Sequence, residues 1–317
     1  MKAVVLKQVG GPENLILKEV PAPVLKDDEV LVQVKAIGIN PVDTFVRSNE
    51  MALKNILRLN GNEENIILGW DISGTVTETG NTVTKFKKGD EVFGMVNFAG
   101  YGKAYAEYAA APEDHLALKP ENISHAEAAA TDLAALTAWQ ALVTYGKIKK
   151  GDKALIHAAG GGVGHYAVQI AKHFGAYVIG TASTTKLDFV QKLGADECID
   201  YTSEKFEDKV KDADIVLDSI TGDHLIRSLE AAKKGGRVIS IKSDFEGKIE
   251  ARAKEKNLFV HRMMVRSNGD DMKQIAALLE SGEIRPHISG KYTFNDLPEA
   301  HRQLETGKTQ GKVVIEV

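Results

Sequence analysis

The stretch Lys153-Ala-Leu-Ile-His-Ala-Ala-Gly-Gly-Gly-Val-Gly164, continued by His165-Tyr-Ala-Val-Gln-Ile-Ala-Lys-His-Phe174, decides how the chain is read. Ala154 to His157 form a short, mostly apolar run of strand length, and the glycines after it allow a tight turn. Val163, Ala167, Ile170, Ala171 and Phe174 then recur at helical spacing. Strand, glycine turn and helix in that order build an anion site, because the first-turn amides of a helix have no intrahelical partner. The order predicts that Gly161 lets the backbone approach a pyrophosphate, that the amides of Gly162 and Val163 face it, and that Gly164 lets the helix pack against the strand. Ala159 stands where the usual G-x-G-x-x-G pattern has its first glycine. The flanking elements therefore carry the dinucleotide reading more than the bare pattern does.

The next strand outward, Tyr177–Thr181, ends in Gly180-Thr-Ala-Ser-Thr-Thr-Lys186. A carboxylate at this point grips the adenosine ribose of NAD. This chain has none until Asp188. A carboxylate would repel a 2'-phosphate, whereas Ser183 offers a donor and Lys186 a point charge, so the cofactor expected is NADPH. Further strands are expected at Cys198–Asp200, Ile215–Asp218 and Val238–Ile241, with helical stretches or turns between them. A parallel sheet is the natural outcome. Ser124 stands three residues before Glu127 and spells a helix N-terminal capping box, which puts the start of helix and strand alternation near residue 122.

Before residue 121 the chain reads differently. Short β-type runs (Val4–Leu6, Glu29–Ala36, Gly74–Thr79, Glu91–Met95, Tyr105–Ala110) alternate with Gly10-Gly-Pro12, Lys26-Asp-Asp28 and Lys87-Lys-Gly-Asp90, the pattern of an irregular, mostly antiparallel β region. After the helical stretch Met272–Leu279 the chain closes with another strand, Lys312–Val317. The 317 residues suit two domains. With 43% hydrophobic and 26% charged residues, the composition is that of a globular protein. Lys and Arg number 40 against 44 Asp and Glu, so nothing favours a nucleic-acid partner. Ala126–Val143 carries Glu127 and Asp132 and reads as a buried helix, and Met1 opens no signal peptide; the expected place is the cytoplasm, with no membrane partner. A single cysteine, Cys198, excludes an intrachain disulfide and a four-cysteine zinc site.

The chain resembles the zinc-independent quinone oxidoreductase branch of the medium-chain dehydrogenases/reductases, the group that contains zeta-crystallin. The resemblance runs nearly end to end. It is carried by Gly38-Ile-Asn-Pro-Val-Asp43 with Arg47, Gly69-Trp-Asp-Ile-Ser-Gly-Thr-Val76, Gly89-Asp-Glu-Val-Phe-Gly94, Leu136-Thr-Ala-Trp-Gln140, the glycine turn, Leu193-Gly-Ala-Asp196 and Ile199-Asp-Tyr201. It implies an α/β chain: a GroES-like β-rich catalytic domain over 1–121 completed by 266–317, a Rossmann NADP-binding domain with a doubly wound parallel sheet over 122–265, an active site in the cleft, and a homodimer. It places Asn40 and Thr137, as catalytic residues, and Thr131 near the nicotinamide, Tyr201 beside the adenosine phosphate, and the Val265 backbone at the carboxamide.

The zinc alcohol dehydrogenases of the same superfamily put a cysteine where this chain has Asn40 and a ligand histidine where it has Trp70. Neither replacement is a zinc donor, so no metal is expected. His157 and His165 are read as packing residues, and Asp43 with Arg47, four apart, as a structural ion pair. Without a metal, the expected reaction is hydride transfer from NADPH to a small quinone or another conjugated carbonyl electrophile, whose delocalisation carries the resulting charge. Related enoyl reductases have a tyrosine shortly after the arginine; Ser48 to Asn60 contains none, which argues against an enoyl thioester. Two alternatives stay open: a 2-alkenal or enoyl double-bond reductase, and a non-catalytic NADPH-binding sensor or structural protein.

Overall fold

The computed structural model describes residues 1–242 and 247–317, and the chain divides into two units, Met1–Leu136 with Val265–Val317, and Thr137–Met264. The first unit is built on Glu29–Ile39, whose valines and isoleucines keep it buried along nearly its whole length. Asp71–Thr79 and Lys312–Glu316 pair with it antiparallel, and so does Tyr108–Pro112. The sheet runs in the order Ile288–Thr293, Lys312–Glu316, Glu29–Ile39, Asp71–Thr79, Glu91–Met95, Ala117–Leu118. A second sheet holds Leu15–Glu19, Lys2–Leu6 and Ile66–Ile67. The run expected from Tyr105 becomes a strand only at Tyr108. Tyr105 is drawn away because its N–H donates to Leu68 O (3.0 Å) and Ala106 bridges to Ala3.

The capping box forms as read: Ser124 N–H reaches Glu127 Oε2 at 2.8 Å and Glu127 N–H reaches Ser124 Oγ at 3.2 Å. Helix His125–Trp139 follows. Its small residues Ala126, Ala129 and Ala130 pack on Ala36 and Val314, so closely that a Cβ on Gly38 would stand 2.2 Å from Ala129 O. The change of periodicity near residue 122 marks the start of this helix, whereas the two compact units part inside it, between Leu136 and Thr137.

The second unit is a six-stranded parallel sheet in the order Glu197–Asp200, Tyr177–Ala182, Lys153–Ile156, Ala213–Asp218, Ala232–Ser240, Phe259–Arg262. Numbered along the unit this is 3-2-1-4-5-6, the doubly wound Rossmann order, which binds ligands at the carboxyl ends of the strands where the order reverses. Leu155, Ile179, Val216 and Leu229 lie in its core. Among the described residues no helix is long and apolar enough to cross a membrane.

Candidate cofactor and active site

At the end of Lys153–Ile156 the backbone turns sharply: Ala158 adopts φ 49°, and Gly161 is the extended N-cap of helix Gly162–His173. Gly161 N–H closes on Ala158 O (2.9 Å), and His165 N–H starts the helical ladder on Gly161 O (3.1 Å). The amides of Gly162, Val163 and Gly164 therefore lie in the first turn, where the helix offers no acceptor. Steric demand separates the glycines. A Cβ on Gly164 would sit 2.2 Å from Ala158 O and 2.7 Å from Ala159 Cα, whereas one on Gly161 would meet only Ala158 O, at 3.2 Å. Gly164 is thus fixed by helix–strand packing, and Gly161 keeps an open face. Gly180, which the sequence did not single out, plays the same packing role, for its Cβ would stand 2.9 Å from that of Ala159.

Ser183 caps, and Lys186 ends, a 3-10 turn, Thr184–Lys186, after Tyr177–Ala182. The stem of Lys186 lies over Gly160, with its Cδ 3.1 Å from where a Cβ would be, and burial lowers the pKa of its ammonium. Tyr201 is 58% exposed at the end of the neighbouring strand, and its N–H donates to Ala182 O at 3.2 Å. Gly161 to Gly164, Ser183, Lys186 and Tyr201 thus all sit at the carboxyl ends of three adjacent strands. An anionic dinucleotide fits this set: helix amides for the pyrophosphate, then hydroxyls and a cation beyond the second strand.

His157, Asp218 and His224 place donor atoms within 4.8 Å of one another, a grouping the sequence did not reveal. The hydrogen bonds admit one placement of protons. Ser228 O–H donates to Asp218 Oδ2 at 2.6 Å, so its 3.2 Å contact with His157 requires the proton on His157 Nε2. His157 Nδ1 then accepts from Thr181 O–H (3.1 Å), while His224 Nδ1–H donates to Asp218 (2.9 Å). Burial, with His224 nearby, holds His157 neutral by lowering its pKa to about 3. His224 thus bonds the carboxylate directly, whereas His157 is linked to it through Ser228. The cluster is a hydrogen-bonded staple across three strand ends and one helix, in keeping with a packing role for His157. His165 is also buried and contacts Gly161 O through Nδ1 (3.0 Å).

In the first unit Asn40 is the N-cap of helix Pro41–Ser48, with its own N–H on Asp43 Oδ2 at 2.6 Å. The residue is 1% exposed and its side chain is bonded at both ends: Nδ2 donates to Asp71 Oδ2 (2.7 Å), and Oδ1 accepts from the Lys312 ammonium. Lys312 also reaches Ile39 O at 3.0 Å and stands 3.8 Å from Asp71. Asp71 Oδ1 takes the Leu133 N–H (3.1 Å), tying this group to helix His125–Trp139. Burial raises the Asp71 carboxyl, opposed by Lys312. Burial pushes Asp132 well above the ordinary carboxylate range, helped by the charge of Asp71, and Asp43 up to about 8. One ammonium thus sits among three carboxyls that do not all ionise. Thr131 is buried on the same helix with its hydroxyl on Glu127 O (2.8 Å); Thr137 is 4% and Val265 7% exposed.

The expected ion pair between Asp43 and Arg47 does not form. Asp43 is committed to the helix N-terminus, and Arg47 turns to Glu305 and Gly10 O. The tyrosine hydroxyls are used inside the unit: Tyr101 donates to Asn65 O (2.8 Å), and Tyr105 contacts His301 Nε2 (2.9 Å).

Residues 26–121 match the family model described as the alcohol dehydrogenase GroES-like domain, and residues 193–315 match the one described as zinc-binding dehydrogenase. Human quinone oxidoreductase is 32% identical, over 99% of this chain and 97% of its own length. The chain belongs to the quinone oxidoreductase family of the medium-chain dehydrogenases/reductases. An Arabidopsis thaliana relative, the chloroplastic NADPH-dependent alkenal/one oxidoreductase, is 35% identical over 99% of this chain and 79% of its length. The solved quinone oxidoreductase of Coxiella burnetii has a TM-score of 0.91 and 36% identity, covering 100% of this chain and 99% of that one.

Zinc does not fit the residues at positions 40 and 70. Trp70 is wholly buried, with its indole N–H on Gly100 O (2.8 Å) and its ring edge-on to Phe98. Asn40 Oδ1 already accepts from the Lys312 ammonium, and that ammonium would repel a dication. In this member of the quinone oxidoreductase family an internal cation, not a ligand set, stands at that position.

Proposed function

We propose that the protein is an NADPH-dependent oxidoreductase that reduces quinones and related conjugated carbonyl compounds, without zinc, as a cytoplasmic homodimer. The observation that carries this reading is the turn after the second Rossmann strand, where Ser183 and a Lys186 folded back over the glycine turn replace the ribose-binding carboxylate. The names of the relatives support the same choice. Bound NADPH supplies the hydride. The chain's own part is to hold the pyrophosphate on the amides of Gly162 to Gly164, to grip the 2'-phosphate with Ser183, Lys186 and Tyr201, and to orient the ring.

Residues 1–121 with 266–317 act as the catalytic domain and 122–265 as the cofactor domain. At the nicotinamide end we assign Asn40, Thr131, Thr137 and Val265. Because its carboxamide is held by Lys312 and Asp71, Asn40 contributes a rigid surface rather than a mobile donor. Neither Tyr101 nor Tyr105 is assigned as proton donor, since both hydroxyls already serve the fold.

The alkenal reductase reading is favoured by the 35% identity to the alkenal/one oxidoreductase. Product analysis separates the two. NADPH oxidation is followed with a small quinone, an enone, an enal and an acyl thioester, and each product is identified by mass spectrometry. Hydroquinone formation as the fastest reaction supports the main reading; faster saturation of the enal double bond selects the second. No turnover on the whole panel would leave only a cofactor-binding protein.

A further inference from the structure

The residues assigned to the 2'-phosphate come from two separate turns, Ser183 and Lys186 after one strand and Tyr201 after its neighbour. Something has to hold those turns in register. The strands pair in parallel with Ala182 opposite Asp200, and beyond that pair the backbone link is the 3.2 Å bond from Tyr201 N–H to Ala182 O. The side chain of Asp200 supplies the rest. Its Oδ2 accepts the Thr184 hydroxyl from the first turn, while Oδ1 accepts both the N–H (2.9 Å) and the hydroxyl (2.6 Å) of Thr202 in the second. The two threonine hydroxyls lie 3.2 Å apart around it. These bonds hold the Asp200 carboxyl below its usual range, so it is ionised, and its charge is spent on three donors.

We propose that Asp200 is a positioning residue for cofactor choice: it clamps the Ser183–Lys186 turn to the Tyr201 turn so that the three residues converge on the 2'-phosphate. A carboxylate next to a phosphate site looks unfavourable by charge alone. Here its oxygens face the two threonines, and the order it imposes outweighs the repulsion. The inference rests on the NADPH reading and deepens it.

The test compares dissociation constants for NADPH and NADH, measured by titration calorimetry, in the wild type, Asp200→Ala, Asp200→Asn and Thr184→Val, with melting curves for each. A clamp predicts that Asp200→Ala weakens NADPH about tenfold and NADH no more than about threefold. Asp200→Asn, which keeps one acceptor oxygen, should fall between, and Thr184→Val should move the ratio in the same direction as Asp200→Ala. Two results overturn the proposal while leaving the NADPH reading intact. One is tighter NADPH binding in both Asp200 variants, which would make Asp200 merely a repulsive charge; the other is equal weakening of both cofactors in all three variants. Equal affinities of the wild type for NADPH and NADH would instead refute the cofactor reading itself, and the proposal with it.

Discussion

Replacing Gly164 by alanine tests the anion site through its packing. The new Cβ would lie 2.2 Å from Ala158 O and 2.7 Å from Ala159 Cα, both backbone atoms that cannot swing aside, whereas ordinary contact begins at 3.4 Å. Helix Gly162–His173 must therefore withdraw from the strand by roughly 1 Å, an overpacking that costs about 1–3 kcal/mol and several degrees of Tm. The first-turn amides move with the helix. A charge-assisted bond from such an amide to phosphate is worth about 1.5–3 kcal/mol, so loss of even one raises Kd about tenfold or more. Because the pyrophosphate is common to both cofactors, NADPH and NADH should weaken alike. Gly161→Ala is the counterpart. Its Cβ meets one atom at 3.2 Å and needs only a few tenths of an ångström of relief, so the melting curve should stay within about 2 °C of wild type, yet both cofactors should weaken because the methyl occupies the open face. Calorimetric titration and thermal melts of the two variants read both effects. A Gly164→Ala protein that melts and binds both cofactors like the wild type would refute the assignment of this helix to the pyrophosphate.

Three further outcomes are expected. Lys186→Glu should raise the Michaelis constant for NADPH about tenfold or more while sparing NADH; an unchanged ratio of the two kcat/KM values removes Lys186 from the site. Purified protein should carry far less than one zinc per chain by elemental analysis, with turnover insensitive to chelation, and stoichiometric tightly held zinc would contradict the account of Asn40, Trp70 and Lys312. Asp43 has a folded pKa of about 8 against an ordinary 3.8, so between those values the folded state holds a proton that the unfolded state has released, and stability declines as pH rises through that window. Asp43→Asn, whose Oδ1 can still accept the Asn40 N–H, removes this titration: its Tm relative to wild type should climb steadily from pH 5 to pH 8, and a constant difference would refute the buried proton.

Much of the cofactor unit was legible because its signals are local. Strand, glycine turn and helix follow one another within about twenty residues, and the absence of a carboxylate between Thr181 and Thr185 can be read directly. The groups missed are those assembled by register. Asp200 meets Thr184 only because two parallel strands end together, and Asn40 meets Lys312 across 272 residues through the antiparallel pairing of Val313 with Ile39. Lys312 opens an apolar strand, where a lysine is ordinarily an exposed end; only the pairing shows that it is buried. His157, Asp218, His224 and Ser228 likewise converge through sheet order, since no spacing between them resembles a motif. The Asp43–Arg47 pair failed for a local reason: spacing of four on a helix permits contact, but an acid at the third helical position competes for the N-terminus and won.

The most direct test of the account is kcat/KM for NADPH in the reduction of a small quinone, set beside the same constant with NADH and beside NADPH-driven reduction of acetaldehyde. A 2'-phosphate gripped by at least one charge-assisted bond, and an acceptor that carries its own charge by conjugation, predict that the first value exceeds each of the others by about tenfold or more. Equal values for NADPH and NADH, or acetaldehyde turned over as fast as the quinone, would contradict it.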